Sequence, residues 1–132
     1  MKEKKVKEEN KELSNHSFID AWKNAFNGII YATTTQKNIQ KQLIIAVIVV
    51  IVSLFFNLNR AEFLCFLFTI VLIIFAEMVN TAIETVVDLY VDVYHPKAKI
   101  AKDVAAGGVV ITAINAIIVG YFLFFDKIAD IG

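Results

Sequence analysis

Four polar residues, Glu77, Asn80, Glu84 and Asp88, interrupt or border a stretch of otherwise apolar character. On a helix that turns ~100° per residue they fall at about 0°, −60°, −20° and +20°, in one narrow stripe. An acid in the middle of a membrane helix costs about 3 kcal/mol on insertion scales. Several on one stripe also repel one another. They require a cation, a metal or a water-filled cavity, and intramembrane acids are functional by default. The segment HPKAKIAKDVAAGG (95–108) follows, with Lys97, Lys99 and Lys102. Lys102 and Asp103 are expected near the polar end of the acid stripe. Phosphoryl transfer needs carboxylates on a divalent cation, a cation on phosphate oxygens and a base for a hydroxyl proton. All three have candidates here. There is no Walker A loop and no GxGxxG run, so a soluble nucleotide-binding fold is excluded. Residue types alone support an acid-lined membrane site with cations, and a proton or ion pathway suits them equally well.

The elements that must hold these residues are written in the hydropathy. The chain has 132 residues, 58% hydrophobic, with eleven Phe, one Pro and one Cys. Mean hydropathy is +0.63. One cysteine builds no disulfide framework and no zinc site. The content is too apolar for a disordered chain. Thirteen basic residues balance thirteen acidic ones, so bulk charge calls for no nucleic-acid partner. Residues 104–125 are twenty-two consecutive uncharged residues. Residues 43–56 and 63–76 are also uncharged and are extended by their flanks. A membrane helix needs about 20 apolar residues. The chain reads as an all-α integral membrane protein with three spans, at 42–58, 62–88 and 103–125. In a soluble bundle, little polar surface would remain to cover three such helices.

Eleven of the thirteen Lys and Arg lie in residues 1–41 and in the loop before the third span; only Arg60 and Lys127 lie elsewhere. The positive-inside rule puts the N-terminus in the cytoplasm and the C-terminus outside. Residues 1–16 form a charged N-terminal segment, rich in Lys and Glu without periodicity, and read as a solvated or frayed end. From residue 17 to about 35, Phe18, Trp22, Ala25, Phe26, Ile29 and Ile30 recur at spacings of 3 and 4. This is an amphipathic helix, expected to lie in the membrane interface.

The run AEMVNTAIETVVDLYVDVYHPKAKIAKDVAAG (76–107), with KNAFNGI (23–29) upstream, resembles the prokaryotic diacylglycerol kinase and undecaprenol kinase family. The similarity covers residues 17–125. It implies a membrane lipid kinase domain over 17–132, a homotrimer with three spans and an interfacial helix per subunit. The activity implied is transfer of the ATP γ-phosphate to a lipid hydroxyl with magnesium. It is placed at the bacterial cell membrane. By resemblance, Glu77 is the general base and Asn80 positions the reacting groups. Glu84 is a metal ligand. Asp88, Val93, Tyr94, His95, Lys102 and Asp103 are on the nucleotide side. Gly28 belongs to the surface-helix motif, where Trp22 and Phe26 are expected to meet lipid. The family commonly carries a second metal-binding glutamate before the first span. The matching run TTTQKN (33–38) has Gln36 there, whose amide oxygen could ligate magnesium without contributing charge. This departure leaves open a weaker site, compensation by a nearby acid, a shifted alignment, or an inactive family member. The forms HPxAKxAKD and EMxNTAIE look more like Gram-positive members and favour undecaprenol as acceptor, with diacylglycerol as the alternative.

Overall fold

The computed structural model describes residues 1–14 and 18–131, whose regular elements are the helices α1 (Lys2–Ser14), α2 (Phe18–Thr35), α3 (Lys37–Ser53), α4 (Arg60–Tyr90) and α5 (Pro96–Ile131). No strand occurs among the described residues. The expected boundary between residues 16 and 17 lies outside them. The chain divides into two units, Met1–Thr35 and Gln36–Gly132.

In the first unit, the charged segment is solvated but not frayed. The side chains of residues 1–11 are exposed, and the backbone is a regular helix. Lys and Glu are strong helix formers, and Glu3 precedes Lys7 by one turn. An acid in the first turn and Lys11 in the last also complement the helix dipole. In α2 the rings of Phe18, Trp22 and Phe26 form a continuous exposed row, with centroids 6.0 and 6.2 Å apart. Its last turn is rich in hydroxyls. Thr33, Thr34 and Thr35 each donate to the carbonyl four residues back, at 2.9, 2.6 and 2.6 Å. These bonds internalise polar groups that an apolar environment would leave unsatisfied.

The second unit packs α4 against both α3 and α5. Its interior is polar and its exterior apolar. Among the described residues of the whole chain, the buried hydrophobics are Ala32, Ile39 and Phe66. The buried polar residues are Ser53, Thr69, Glu77, Asn80 and Thr112. Exposed large apolar side chains run the length of α3, α4 and α5. That inversion is expected where the solvent is lipid. The buried hydroxyls are satisfied locally. Ser53 donates to Val50 O, Thr69 to Cys65 O and Thr112 to Val109 O, at 2.7–2.9 Å.

Both α4 (31 residues) and α5 (36 residues) are long and apolar enough to cross a membrane. They run antiparallel, as their contacts show. Glu62 meets Lys127 at 3.1 Å at one end, and Asp88 meets Lys102 at 2.5 Å at the other. Between them, Phe124 sits edge-on to Phe66. Twenty-six residues separate Glu62 from Asp88, about 39 Å of helix. That is close to the thickness of a bilayer with its headgroups.

The first expected span is corrected. The sequence reading places it at 42–58, but the helix runs from Lys37 to Ser53 and residues 54–57 form turns. Leu54, Phe55 and Phe56 donate to carbonyls only three residues back, and Asn57 takes φ 48°. Asn tolerates this left-handed conformation better than most residues. The chain then enters α4 through a capping box. Asn59 Oδ1 accepts from Glu62 N, and Glu62 Oε2 accepts from Asn59 N, both at 2.9 Å. Hydropathy alone could not see this turn, because Leu54, Phe55 and Phe56 are as apolar as the helix before them. At 17 residues, α3 is at the lower limit of length for a membrane span.

Candidate active site

The stripe expected on α4 forms, and its members differ in environment. Glu77 and Asn80 are each only 7% exposed, Glu84 is half-buried and Asp88 is open. Glu77 lies about 16 Å of helix inward from Asp88. A carboxyl so deep needs a partner, and α3 supplies one: Gln42 Nε2 donates to Glu77 Oε1 at 2.9 Å. One turn along, Asn80 Nδ2 donates to Glu84 Oε1 at 3.2 Å. Among the described residues, two acceptors remain buried without a partner, Gln42 Oε1 and Asn80 Oδ1. Buried polar atoms are paired in the great majority of cases, so each orphan calls for an explanation.

The resemblance assigns both Lys102 and Asp103 to the nucleotide side, and the structure gives each a different partner. Lys102 Nζ reaches across to Asp88 Oδ1, whereas Asp103 bonds to Lys99 one turn away on the same helix. On a helix, neighbours in sequence point about 100° apart, so adjacent charges are poor partners for one another. The result is one interhelical pair at the mouth of the α4–α5 hairpin and one solvent-facing pair beside it.

The loop 91–95 is built by caps. Val91 N donates to Val87 O at 3.1 Å and closes α4. His95 Nδ1 accepts from Lys97 N at 3.2 Å, and His95 O accepts from Lys99 N at 3.1 Å. His95 therefore N-caps α5, with Pro96 in the first helical position. One ring nitrogen of this nucleotide-side candidate is thus engaged. Val93 and Tyr94 are 77% exposed.

Gln36 stands at the N-cap of α3, with extended backbone and no side-chain cap hydrogen bond. Among the described residues no group of three or more His, Cys, Asp or Glu side chains converges as a metal cage. What α4 offers is sparser: the Glu84 carboxylate and the orphaned Asn80 Oδ1 one turn away. An all-oxygen set with one or two carboxylates fits magnesium, which keeps several waters and takes the rest of its ligands from phosphates. In the first unit, Trp22 and Phe26 lie in the exposed aromatic row, and a Cβ at Gly28 would meet open space.

Gln42 is the residue that sequence reasoning missed. It stands in the run QKNIQKQ, among other polar residues, and nothing in its type sets it apart. Its role depends on which residue of α3 faces Glu77, a matter of packing register.

The family model described as prokaryotic diacylglycerol kinase matches residues 23–124. A diacylglycerol kinase of Synechocystis sp. (strain ATCC 27184 / PCC 6803 / Kazusa) is 38% identical over 108 residues, 81% of this chain and 62% of its own length. An undecaprenol kinase of Bacillus subtilis (strain 168) is 35% identical over 111 residues, covering 84% of this chain and 90% of that protein. The chain thus spans under two thirds of the first relative and nearly all of the second.

Proposed function

The chain belongs to the prokaryotic diacylglycerol kinase family, and from that premise we propose that it is a membrane lipid kinase moving the ATP γ-phosphate to a lipid hydroxyl. The observation that carries this reading is the buried Glu77, held by Gln42 on the same stripe as Asn80, Glu84 and Asp88. A deep carboxyl without a bonded cation is suited to accepting a proton.

Glu77 takes the proton of the lipid hydroxyl as that oxygen bonds to the γ-phosphorus. The bond from the γ-phosphorus to the ADP oxygen breaks in line. Asn80 keeps Glu84 oriented, and its Oδ1 is buried without a partner among the described residues. Magnesium bound with ATP would neutralise phosphate charge; Glu84, with Asn80 Oδ1 and Gln36, would hold it. Lys102 and Asp103, with Asp88 and residues 93–95, serve the nucleotide, and the Lys102–Asp88 pair opens to let Lys102 meet phosphate. Most of the rate comes from positioning and electrostatics. Trp22, Phe26 and Gly28 of α2 serve the lipid side.

Undecaprenol is the proposed acceptor, giving undecaprenyl phosphate. The relative covered over 90% of its length bears that activity in its name. Diacylglycerol, giving phosphatidic acid, is the alternative carried by the other relative. The working form is a homotrimer in the cell membrane, with residues 17–132 as the kinase domain, three spans per subunit, a cytoplasmic N-terminus and an external C-terminus. Support comes from apolar faces exposed on every helix of the second unit and from Gly107, Gly108 and Gly120, where a Cβ would meet open space. Small residues permit close helix approach. A proton or ion pathway is disfavoured, because the acids end at Glu77 and α4 carries no other acid until Glu62 at its far end.

The test is direct. Purified protein in mixed micelles with Mg-ATP receives undecaprenol and diacylglycerol in parallel, and lipid phosphate is measured. Phosphorylation of either acceptor supports a kinase, and the preferred one identifies the substrate. No product from either would sink the reading.

A further inference from the structure

The amide of Gln42 is half used. Nε2 donates to Glu77 Oε1 at 2.9 Å, while Oε1 is fully buried and accepts from no group among the described residues. An apolar side chain of the same shape would avoid that cost, so the amide needs a reason. The cations at the mouth of the hairpin are engaged there, Lys102 by Asp88 and Lys99 by Asp103. Lys41 on α3 is exposed, and Glu84 on α4 is bonded to Asn80. Gln42 is therefore the group that the structure sets on Glu77.

The chemistry of a base explains both ends of the amide. An ionised carboxylate only accepts hydrogen bonds, whereas a protonated carboxyl also donates one. A partner that only donates, such as Lys, opposes the proton's arrival. A partner that only accepts, such as a second carboxylate, opposes the state before it. A primary amide serves both by a half-turn of its terminal torsion, which is soft. We propose that Gln42 is a positioning residue that holds the Glu77 side chain through the whole proton transfer, with Nε2 donating to the carboxylate beforehand and Oε1 accepting from the carboxylic acid afterwards. The proposal rests on the reading of Glu77 as the base. The proton leaves the lipid oxygen as its bond to phosphorus forms, and resides on a Glu77 oxygen until it is lost to solvent. The orphaned Oε1 is then an acceptor waiting for the second state.

The experiment is steady-state kinetics of the full chain in mixed micelles, with ATP binding measured separately. Gln42→Met removes both functions at nearly constant volume. kcat should fall about 10- to 100-fold, with KM for ATP and lipid held within about threefold. Gln42→Asn keeps the amide but withdraws it by one methylene, and should also lower kcat. In a Glu77→Asp background, whose carboxyl is already out of the amide's reach, Gln42→Met should change kcat less than about twofold rather than multiplying the two losses. Where Gln42→Met loses ATP binding, Gln42→Asn decides. Wild-type kcat in either variant, losses that multiply in the double variant, or loss of ATP binding in both single variants would overturn the proposal. Glu77→Gln separates the two readings. If it is inactive while both Gln42 variants behave as wild type, only the Gln42 proposal fails; if it is fully active, the base assignment fails and Gln42 goes with it.

Discussion

Lys102 Nζ lies 2.5 Å from Asp88 Oδ1, so the last turn of α4 and the second turn of α5 are tied across a five-residue loop. The pair closes one end of the hairpin, and Glu62 with Lys127 closes the other. The two differ in exposure. Lys102 and Asp88 are substantially open to water, whereas Glu62 and Lys127 are about one quarter exposed. An open ion pair contributes little stability. Lys102 is thus free to exchange Asp88 for a phosphate at small cost.

Lys102→Met should raise KM for Mg-ATP by about tenfold or more while leaving KM for lipid unchanged, because one charge-assisted contact to phosphate is lost. Thermal stability in detergent should scarcely move. The double reversal Lys102→Asp with Asp88→Lys should restore the bridge and not the ATP affinity. Initial rates at varied ATP check both outcomes.

Glu77→Gln should lower kcat by about 10²–10⁴-fold, the usual worth of a positioned general base. The amide is nearly isosteric, so helix packing, oligomer size and ATP binding should be retained. Single-turnover phosphorylation and equilibrium nucleotide binding distinguish chemistry from fold.

Gln36→Glu adds a carboxylate where the family commonly has one. Half-saturating magnesium should fall by several-fold, because carboxylates bind this hard cation better than an amide oxygen does. A magnesium titration at fixed ATP reads it.

Phe124→Ala should destabilise the closed end of the second unit. Its ring sits edge-on to both Phe56 (5.1 Å between centroids) and Phe66 (5.8 Å). Two such contacts amount to about 1–3 kcal/mol. Unfolding in a denaturing detergent should shift accordingly, with kcat of the folded fraction near wild type, since Phe66 lies about 16 Å of helix from Glu77.

How much was visible beforehand follows from what hydropathy and helical periodicity can encode. The stripe Glu77, Asn80, Glu84 and Asp88 was readable because all four lie on one helix, where spacing alone assigns a face. The aromatic row of α2 was readable for the same reason. The end of α3 was not. A window of apolar residues looks the same in a helix and in the turn after it, and the left-handed Asn57 leaves only a faint trace in composition. The helical state of the charged N-terminus was missed because hydrophobic periodicity is absent there; helix propensity and charge order along the axis carried that signal.

The sequence by itself determined the class of the protein, an all-helical membrane chain with an acid-lined site, and it determined the family. Apolar runs and the positions of a few charges are local properties, and a bilayer converts them directly into helices. Tertiary structure alone decided the partners. It paired Glu77 with Gln42 and Lys102 with Asp88, and left two acceptors buried without a partner among the described residues. These facts depend on the register of one helix against another. That register is set by many weak side-chain contacts summed along α3, α4 and α5, and no single residue type announces it.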